Sequence, residues 1–164
     1  MAVRLQREDF DVGAEIALLS RGRTDIGAIA TFTGVCRGDG IVAMTLEHYP
    51  GMAEAEIERH VAEAQARWPL LGVTVIHRYG RLVPGDNIVL VATASQHREG
   101  AFAAAEFLMD YLKLRAPFWK KEERAGGDGW VEARQSDTAA AARWKRPQTG
   151  GRRMKIPGPA QSRR

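Results

Sequence analysis

The spacing of apolar residues along the chain predicts two long helices. Across residues 52–68, apolar side chains recur at a helical spacing, with charged residues on the opposite face. The same spacing returns over residues 98–115. Pro69 and Pro117 end these helices, because proline disfavours helical geometry in the residue before it. Ser95 is either the N-cap of the second helix or part of the turn before it.

Segments rich in β-branched and aromatic residues predict the strands. They occupy residues 26–37, 44–49, 73–80, 87–95, 118–123 and 130–133. Turn sequences separate them, at Gly38-Asp39-Gly40, Pro50-Gly51, Pro84-Gly85-Asp86-Asn87 and Gly126-Gly127-Asp128-Gly129. A last short helix is predicted from about Asp137 to Trp144. Because strands and helices mix without a strict βαβ rhythm, we predict an α+β fold with a mixed, mainly antiparallel sheet and packed helices.

A basic tail follows the part of the sequence that predicts structure. Of the 24 lysines and arginines, seven lie in residues 145–164, which contain no acid. Residues 1–144 therefore carry 17 basic against 20 acidic residues, so the net charge of +4 belongs to the tail. With 45% hydrophobic residues over 164 positions, the chain can bury a core. We predict one domain over 1–144 and a flexible extension over 145–164.

Composition argues against several classes of protein. Cys36 is the single cysteine, so an internal disulfide is impossible, and the four histidines lack the spacing of a zinc site. No apolar run reaches the roughly 20 residues of a membrane-spanning helix. We therefore expect a soluble protein of the reducing cytoplasm, with no metal ion and no cofactor.

Three features that could carry chemistry are better explained by structure. The two glycine-rich segments lead into strands, so we interpret them as turns rather than phosphate-binding loops. His60 lies on a helix rich in charge, which predicts a surface histidine. Strand alternation puts Cys36 on the face of Phe32 and Arg37 on the opposite face. We therefore interpret Cys36 as a structural residue rather than a persulfide carrier.

The more informative chemical signal is a set of cationic residues at the ends of predicted elements. They are Arg37, His97, Arg98, Lys113, Lys120 and Lys121. Element ends are where a rigid scaffold holds side chains toward a cleft. Lys113 and Lys120 follow apolar residues, and a partly apolar setting makes a lysine usable as an acid, a base or a nucleophile. By itself this set predicts an anion-binding site.

Seven blocks of the sequence together carry a family resemblance. They are TFTGVCR (31–37), LEHYPGM (46–52), VIHRYG (75–80), PGD (84–86), HR (97–98), MDYLKLRAPFWKKE (109–122) and WVEARQSD (130–137). In this order and spacing, the chain resembles the large, catalytic subunit of molybdopterin synthase, the MoaE family, over essentially all of residues 1–144. The run YLKLRAPFWKKE is far more specific than a glycine pattern.

The resemblance implies an activity and its partners. A dimer of the large subunit binds two copies of a small ubiquitin-like sulfur carrier, which gives a heterotetramer. The carrier ends in Gly-Gly and presents a C-terminal thiocarboxylate. Its sulfur is transferred to cyclic pyranopterin monophosphate, forming the dithiolene of molybdopterin in molybdenum cofactor biosynthesis. Gly150 and Gly151 are internal here, so the resemblance implies that this chain is the receiving sulfurtransferase and not the carrier.

The resemblance also implies roles for single residues. Lys113 corresponds to the catalytic lysine beside the carrier's C-terminus, and Lys120 to a second essential lysine. Substrate-binding positions are implied for Val35, Cys36, Arg37, His97, Arg98, Lys121 and Glu122. Many relatives have a lysine in place of Val35, so either the backbone makes this contact or another cation, such as Lys121, replaces it.

Two other functions remain open on the sequence alone. A binding protein for phosphorylated ligands or RNA would use the same cations but would need no protein partner. A regulatory subunit would use the fold only as a dimer scaffold and would bind substrate without turnover. The favoured interpretation predicts no membrane partner and disfavours nucleic acid as a ligand.

Overall fold

The computed structural model describes residues 1–114, 116–127, 129–130 and 142–145. Within these ranges the strands are β1 (Ala2–Gln6), β2 (Ala28–Val35), β3 (Ile41–His48), β4 (Leu70–Arg78), β5 (Gly80–Leu82), β6 (Asn87–Ser95), β7 (Phe118–Arg124) and β8 (Gly129–Trp130). The helices are α1 (Val12–Ser20), α2 (Met52–Arg67) and α3 (Arg98–Leu114), and a 3₁₀ turn spans Arg143–Lys145. The predicted α+β class is confirmed.

The first sheet has the strand order β1-β4-β6-β2. β1 runs parallel to β4, whereas β6 pairs antiparallel with both β4 and β2. Both faces of the sheet are covered, so β4 and β6 are apolar almost throughout. Val75 and Val91 face the main core, while Ile76 and Leu90 pack with Phe10 on the opposite face.

α3 packs against β6 and β2 and runs back along β6. Near its start, the Thr93 hydroxyl donates to the Ala101 carbonyl (2.7 Å). Just beyond its end, Phe118 stacks on His77, which is paired with Val89 near the start of β6. The C-terminal end of α3 and the N-terminal end of β6 therefore lie at the same end of the sheet.

The second sheet has the order β5-β3-β7-β8, with every pairing antiparallel. One face of β3 and β5 buries Met44, Leu46 and Leu82 against Cys36, which comes from the end of β2 in the first sheet. The two sheets are therefore joined where β2 ends.

The predicted turn before β6 is confirmed. Gly85 has a φ of +98°, and the Asp86 N–H donates to the Val83 carbonyl (3.0 Å). Proline at the second position and glycine at the third suit a type II turn, because the third position requires a positive φ. The Asp86 carboxylate also accepts from the Val83 N–H (2.9 Å), which fixes the turn that later contacts Cys36.

The structure adds elements that were not predicted and moves several boundaries. β1, α1 and the short β5 were not assigned from the sequence. The predicted strand over 26–37 is shorter, Ala28–Val35, and the second strand begins earlier, at Ile41. Ser95 is the last residue of β6, so it is neither the N-cap of α3 nor part of the turn, and its hydroxyl donates to the Pro69 carbonyl (3.0 Å). The predicted helix over 137–144 lies outside the described residues except near Trp144.

His60 corrects a prediction, because it is buried rather than on the surface. Its side chain stacks on Tyr111 of α3, and the residue is only 5% exposed. Nδ1 lies 2.9 Å from the Glu56 carbonyl and Nε2 lies 3.2 Å from the Arg59 guanidinium. Burial lowers the pKa of His60. The charged residues around it line the rim of the α2–α3 contact, which a single-helix pattern does not reveal.

No helix in the described ranges is long and apolar enough to cross a membrane.

Candidate active site

The end of β2 turns Cys36 inward and Arg37 outward. The pairing of β2 with β6 shifts next to Val35. Beyond this irregularity, the Cys36 N–H donates to the Asp86 carbonyl (2.8 Å) and the Gly85 N–H donates to the Cys36 carbonyl (2.8 Å). These two backbone bonds hold the segment that carries three of the predicted site residues.

Cys36 is 3% exposed, and its environment disfavours the thiolate. Burial raises the pKa of the thiol, and the negative charge of Asp86 raises it further, while Lys120 acts in the opposite direction. A thiol that stays protonated is a poor nucleophile. These features agree with a structural Cys36, although its role in turnover stays a prediction.

Phe32 and Cys36 do not share a face, contrary to the prediction from strand alternation. Phe32 was expected on the same face, yet it is 40% exposed whereas Cys36 is buried. The shift in register next to Val35 interrupts the alternation between the two positions, because an irregular residue turns the following side chains to the other face.

Arg37 and Val35 face solvent in the single chain. The Arg37 side chain is 70% exposed, and its guanidinium lies 3.2 Å from Asp39, which is also exposed. An exposed ion pair of this kind holds the guanidinium weakly, so Arg37 is available to an anion. Val35 is exposed too and offers no charge at this edge.

β7 places Lys120 and Glu122 beside this strand end. Lys120 is opposite Leu46 and Glu122 is opposite Met44, so both share the face of β3 that packs on Cys36. The Lys120 Nζ lies 2.8 Å from one Glu122 oxygen, and the Arg124 guanidinium lies 2.6 Å from the other. These hydrogen bonds, Lys120's first, lower the pKa of Glu122. Glu122 is thus a fixed carboxylate that orients Lys120.

Lys121 projects from the opposite face of β7. It is paired with Thr45 on β3 and with Trp130 on β8. Trp119 lies on the same face, and the indole rings of Trp119 and Trp130 are both exposed. The side chains of Lys121 and Lys120 therefore lie on opposite faces of the second sheet.

Lys113 lies in the last turn of α3 and is exposed. The end of α3 and the start of β7 are at the same end of the first sheet as Arg37, as the stacking of Phe118 on His77 requires. Lys113, Arg37 and Lys120 are thus brought to one region by three different elements.

His97 and Arg98 lie at the other end of the sheet. Ser95 is paired with Ala28 at the start of β2, whereas Val35 is paired with Asn87 at the start of β6. β6 has nine residues, so its two ends are roughly 25–30 Å apart. Both His97 and Arg98 are exposed. One chain therefore does not bring them together with Arg37 and the lysines.

An aromatic cluster beside Lys120 was missed from the sequence. His48, the last residue of β3, is opposite Phe118, and its ring lies 4.5 Å from Tyr79 and 6.0 Å from Phe118. On the far side, Phe118 stacks on His77 at 3.9 Å. Among the described residues, His48 Nδ1 is the one buried side-chain polar atom without a hydrogen-bond partner. The sequence blocks LEHYPGM and VIHRYG contain the histidines and tyrosines of this cluster. The sequence pattern did not predict that these two segments lie next to each other.

The described residues contain no group of three histidine, cysteine, aspartate or glutamate side chains placed to hold a metal ion. The chemistry available at the end of β2 is that of cations, carboxylates, histidines and aromatic rings.

The fold and site define an α+β subunit whose cationic residues lie at strand and helix ends, as expected for a protein acting on an anionic small molecule. Residues 5–115 match the family described as MoaE protein. The molybdopterin synthase catalytic subunit of Mesorhizobium japonicum is 64% identical, over 87% of this chain and 92% of its own. The chain belongs to the MoaE family.

Solved structures agree with this assignment. The molybdopterin biosynthesis MoaE protein from Burkholderia ambifaria is 53% identical, with a TM-score of 0.78 over 90% of this chain and 100% of that one. Molybdopterin synthase from Staphylococcus aureus is 29% identical, with a TM-score of 0.71 over 78% of this chain and 95% of that one. The fold expected from the family resemblance is therefore confirmed.

Proposed function

We propose that this chain is the catalytic subunit of a molybdopterin synthase. It takes sulfur from the C-terminal thiocarboxylate of a small ubiquitin-like partner and transfers it to cyclic pyranopterin monophosphate, forming the dithiolene of molybdopterin. The observation that carries this proposal is the 64% identity to a relative of that name, which spans nearly the full length of both chains. Arg37, Lys113 and Lys120 at one end of the sheet support it.

The cations suit the charge of the substrate. A cyclic phosphate carries negative charge, and arginine binds phosphate oxygens through a planar pair of donors. Arg37 is exposed and only weakly paired, so it can turn to the phosphate. Lys120 is already oriented by Glu122, which reduces the conformational entropy lost when it binds an anion.

The two lysines have different proposed roles. In each transfer the sulfur of the thiocarboxylate attacks a substrate carbon and the carbon–oxygen bond at that carbon breaks, which joins partner and substrate through a thioester. The displaced oxygen leaves as water or, where the cyclic phosphate opens, stays on the phosphate. Water then cleaves the carbon–sulfur bond to the partner, which leaves with a carboxylate while the sulfur stays on the substrate. These steps need protons moved to and from oxygen and sulfur. We assign general acid and base work to Lys113 and the binding of substrate or thiocarboxylate to Lys120.

A complete site needs a second copy of the chain. His97 and Arg98 lie roughly 25–30 Å from Arg37 along the same sheet, too far to contact the same small molecule. In a homodimer, the exposed His97–Arg98 corner of one copy can instead face the Arg37 end of the other. Each site would then combine residues of both copies, and with two partner subunits the assembly is a heterotetramer.

Mixing two impaired variants tests this shared site. At a substrate concentration well below the Kd of the Arg98→Ala chain, Lys113→Ala and Arg98→Ala chains should each have little activity alone. After mixed refolding, a dimer holding one chain of each kind contains one intact site, so part of the activity should return. No recovery in proven mixed dimers would show that Arg98 acts within its own chain.

Reconstitution tests the proposed function itself. The purified chain is incubated with thiocarboxylated partner and cyclic pyranopterin monophosphate, and dithiolene product is measured. A partner lacking its terminal Gly-Gly is the control and should give no product. Tight substrate binding without product in the full mixture would instead favour a regulatory subunit.

The compartment in which the protein works and the extent of its catalytic domain are also proposals. We propose that the protein works in the cytoplasm, where a thiocarboxylate and the free Cys36 are kept reduced. We also propose that residues 1–144 form the catalytic domain and that the basic segment 145–164 is an extension not needed for turnover.

A further inference from the structure

We propose that His48 is an additional ligand-binding residue of this site, whose Nδ1 forms a hydrogen bond with an uncharged amide group of a reactant. The inference rests on the proposed function, because both proposed reactants contain such groups. The C-terminal peptide of the sulfur carrier is a run of amides, and the pterin ring carries an amide of its own. No role for His48 followed from the cationic pattern.

His48 lies close to Lys120 on the same face of the second sheet. It ends β3 opposite Phe118, and Lys120 is opposite Leu46, two residues earlier. Side chains at positions two apart share a face, so His48, Leu46 and Lys120 face the same side of the sheet. Diagonal neighbours of this kind have their Cα atoms roughly 7–8 Å apart. A reactant held by Lys120 is therefore within reach of His48.

One ring nitrogen of His48 has no hydrogen-bond partner among the described residues. His48 Nδ1 is buried without a partner in the described residues, although buried polar groups in native proteins are nearly always hydrogen-bonded. His48 as a whole is half-buried, whereas His60 and His77 are buried. His60 has contacts to both ring nitrogens, and the His77 Nδ1 lies 2.8 Å from the Arg78 carbonyl. Of these three histidines, His48 is the one with a buried ring nitrogen that lacks a partner among the described residues. Because the side chain is half-exposed, a turn of the ring can present this nitrogen to a group from outside.

The surroundings of the ring determine the kind of group. Tyr79 and Phe118 flank His48, and no ion pair of its imidazole is found in the described part of the chain. The cations of the site suit the phosphate, whereas a ring flanked by aromatic side chains suits an uncharged donor or acceptor. An amide provides both, so it can pair with Nδ1 whether that nitrogen donates or accepts.

Three substitutions test the position of the nitrogen. His48→Asn keeps a polar atom close to the place of Nδ1, His48→Gln puts it near the place of Nε2, and His48→Leu removes both. Glu47→Gln, on the opposite face of β3, is the matched control. Binding of the carboxylate form of the partner is measured without substrate, and binding of cyclic pyranopterin monophosphate without partner, so that the two sources of the amide are separated.

The inference predicts that His48→Leu weakens one of the two binding reactions by about tenfold, the loss of one buried hydrogen bond. His48→Asn should restore most of the affinity and His48→Gln should not, with thermal stability and dimerisation unchanged. The inference is wrong if the affinity for both reactants is unchanged, or if the Asn and Gln variants bind equally weakly. It is also wrong if Gln rather than Asn restores the affinity, or if the substitutions affect only dimerisation. If His48→Leu does not fold, the comparison of Asn with Gln still decides. Failure of the wild-type chain to make product would refute the proposed function instead, because the binding measurements do not depend on turnover.

Discussion

Lowering the pH should destabilise this protein through His77. The residue is 7% exposed, stacked on Phe118, and burial lowers its pKa from 6.5 to about 4. Below pH 6.5 the unfolded chain binds a proton at His77 while the folded chain does not, so stability falls as the pH decreases from 6.5 toward 4. Above 6.5 both states are neutral and the contribution is complete. A difference of 2.5 pKa values corresponds to about 3 kcal/mol.

Urea denaturation at pH 7 and at pH 4, at one protein concentration, measures this loss. His77→Phe keeps a ring against Phe118 and removes the titrating group, so its stability should fall by about 3 kcal/mol less than that of the wild type over the same range. His97→Gln, at an exposed position, is the control and should behave as the wild type does. Equal pH dependence of the wild type and His77→Phe would refute the reasoning.

Four further predictions concern the site and the C-terminal segment. Lys113→Ala should lower the single-turnover rate with little change in substrate affinity, whereas the reverse pattern would exchange the two roles. Arg98→Ala should weaken substrate binding by about ten- to a hundredfold, and Arg98→Lys should restore it only in part. Cys36→Ser should retain most activity, and a persulfide on the wild-type thiol together with an inactive variant would contradict this. Truncation after Trp144 should leave a folded dimer, whereas a stop before Arg143 should cost roughly 2–4 kcal/mol in a denaturation experiment, because it removes a ring packed on Trp68 and an indole hydrogen bond to Asp110.

The sequence predicted the regular, strongly patterned parts of the fold. β6 has the predicted bounds, α2 ends one residue before its predicted end, and α3 begins at the predicted residue, because their apolar patterns are long and end at proline or a turn. The short β5 was missed, since three residues are too few for a pattern to appear. β1 was missed because this five-residue segment becomes a strand through its parallel pairing with β4, and local sequence pattern does not predict that pairing.

The site was predictable as a set of residue types and less so as an arrangement. The family resemblance supplied Lys113, Lys120 and Glu122, but the pairing of Glu122 with Lys120 and Arg124 depends on the register of β7. The separation of His97 from Arg37 depends on the antiparallel pairing of β2 with β6. Such long-range pairing brings together residues distant in sequence, and local pattern carries no information about it.

The stoichiometry of sulfur transfer tests the central claim most directly. Purified chain, thiocarboxylated partner and cyclic pyranopterin monophosphate are mixed, and the partner's conversion from thiocarboxylate to carboxylate is followed by mass spectrometry alongside dithiolene formation. Each partner donates one sulfur and the dithiolene holds two, so we predict two partners consumed for each product formed. Consumption of thiocarboxylate without dithiolene, or dithiolene formed with the partner's thiocarboxylate intact, would contradict the account.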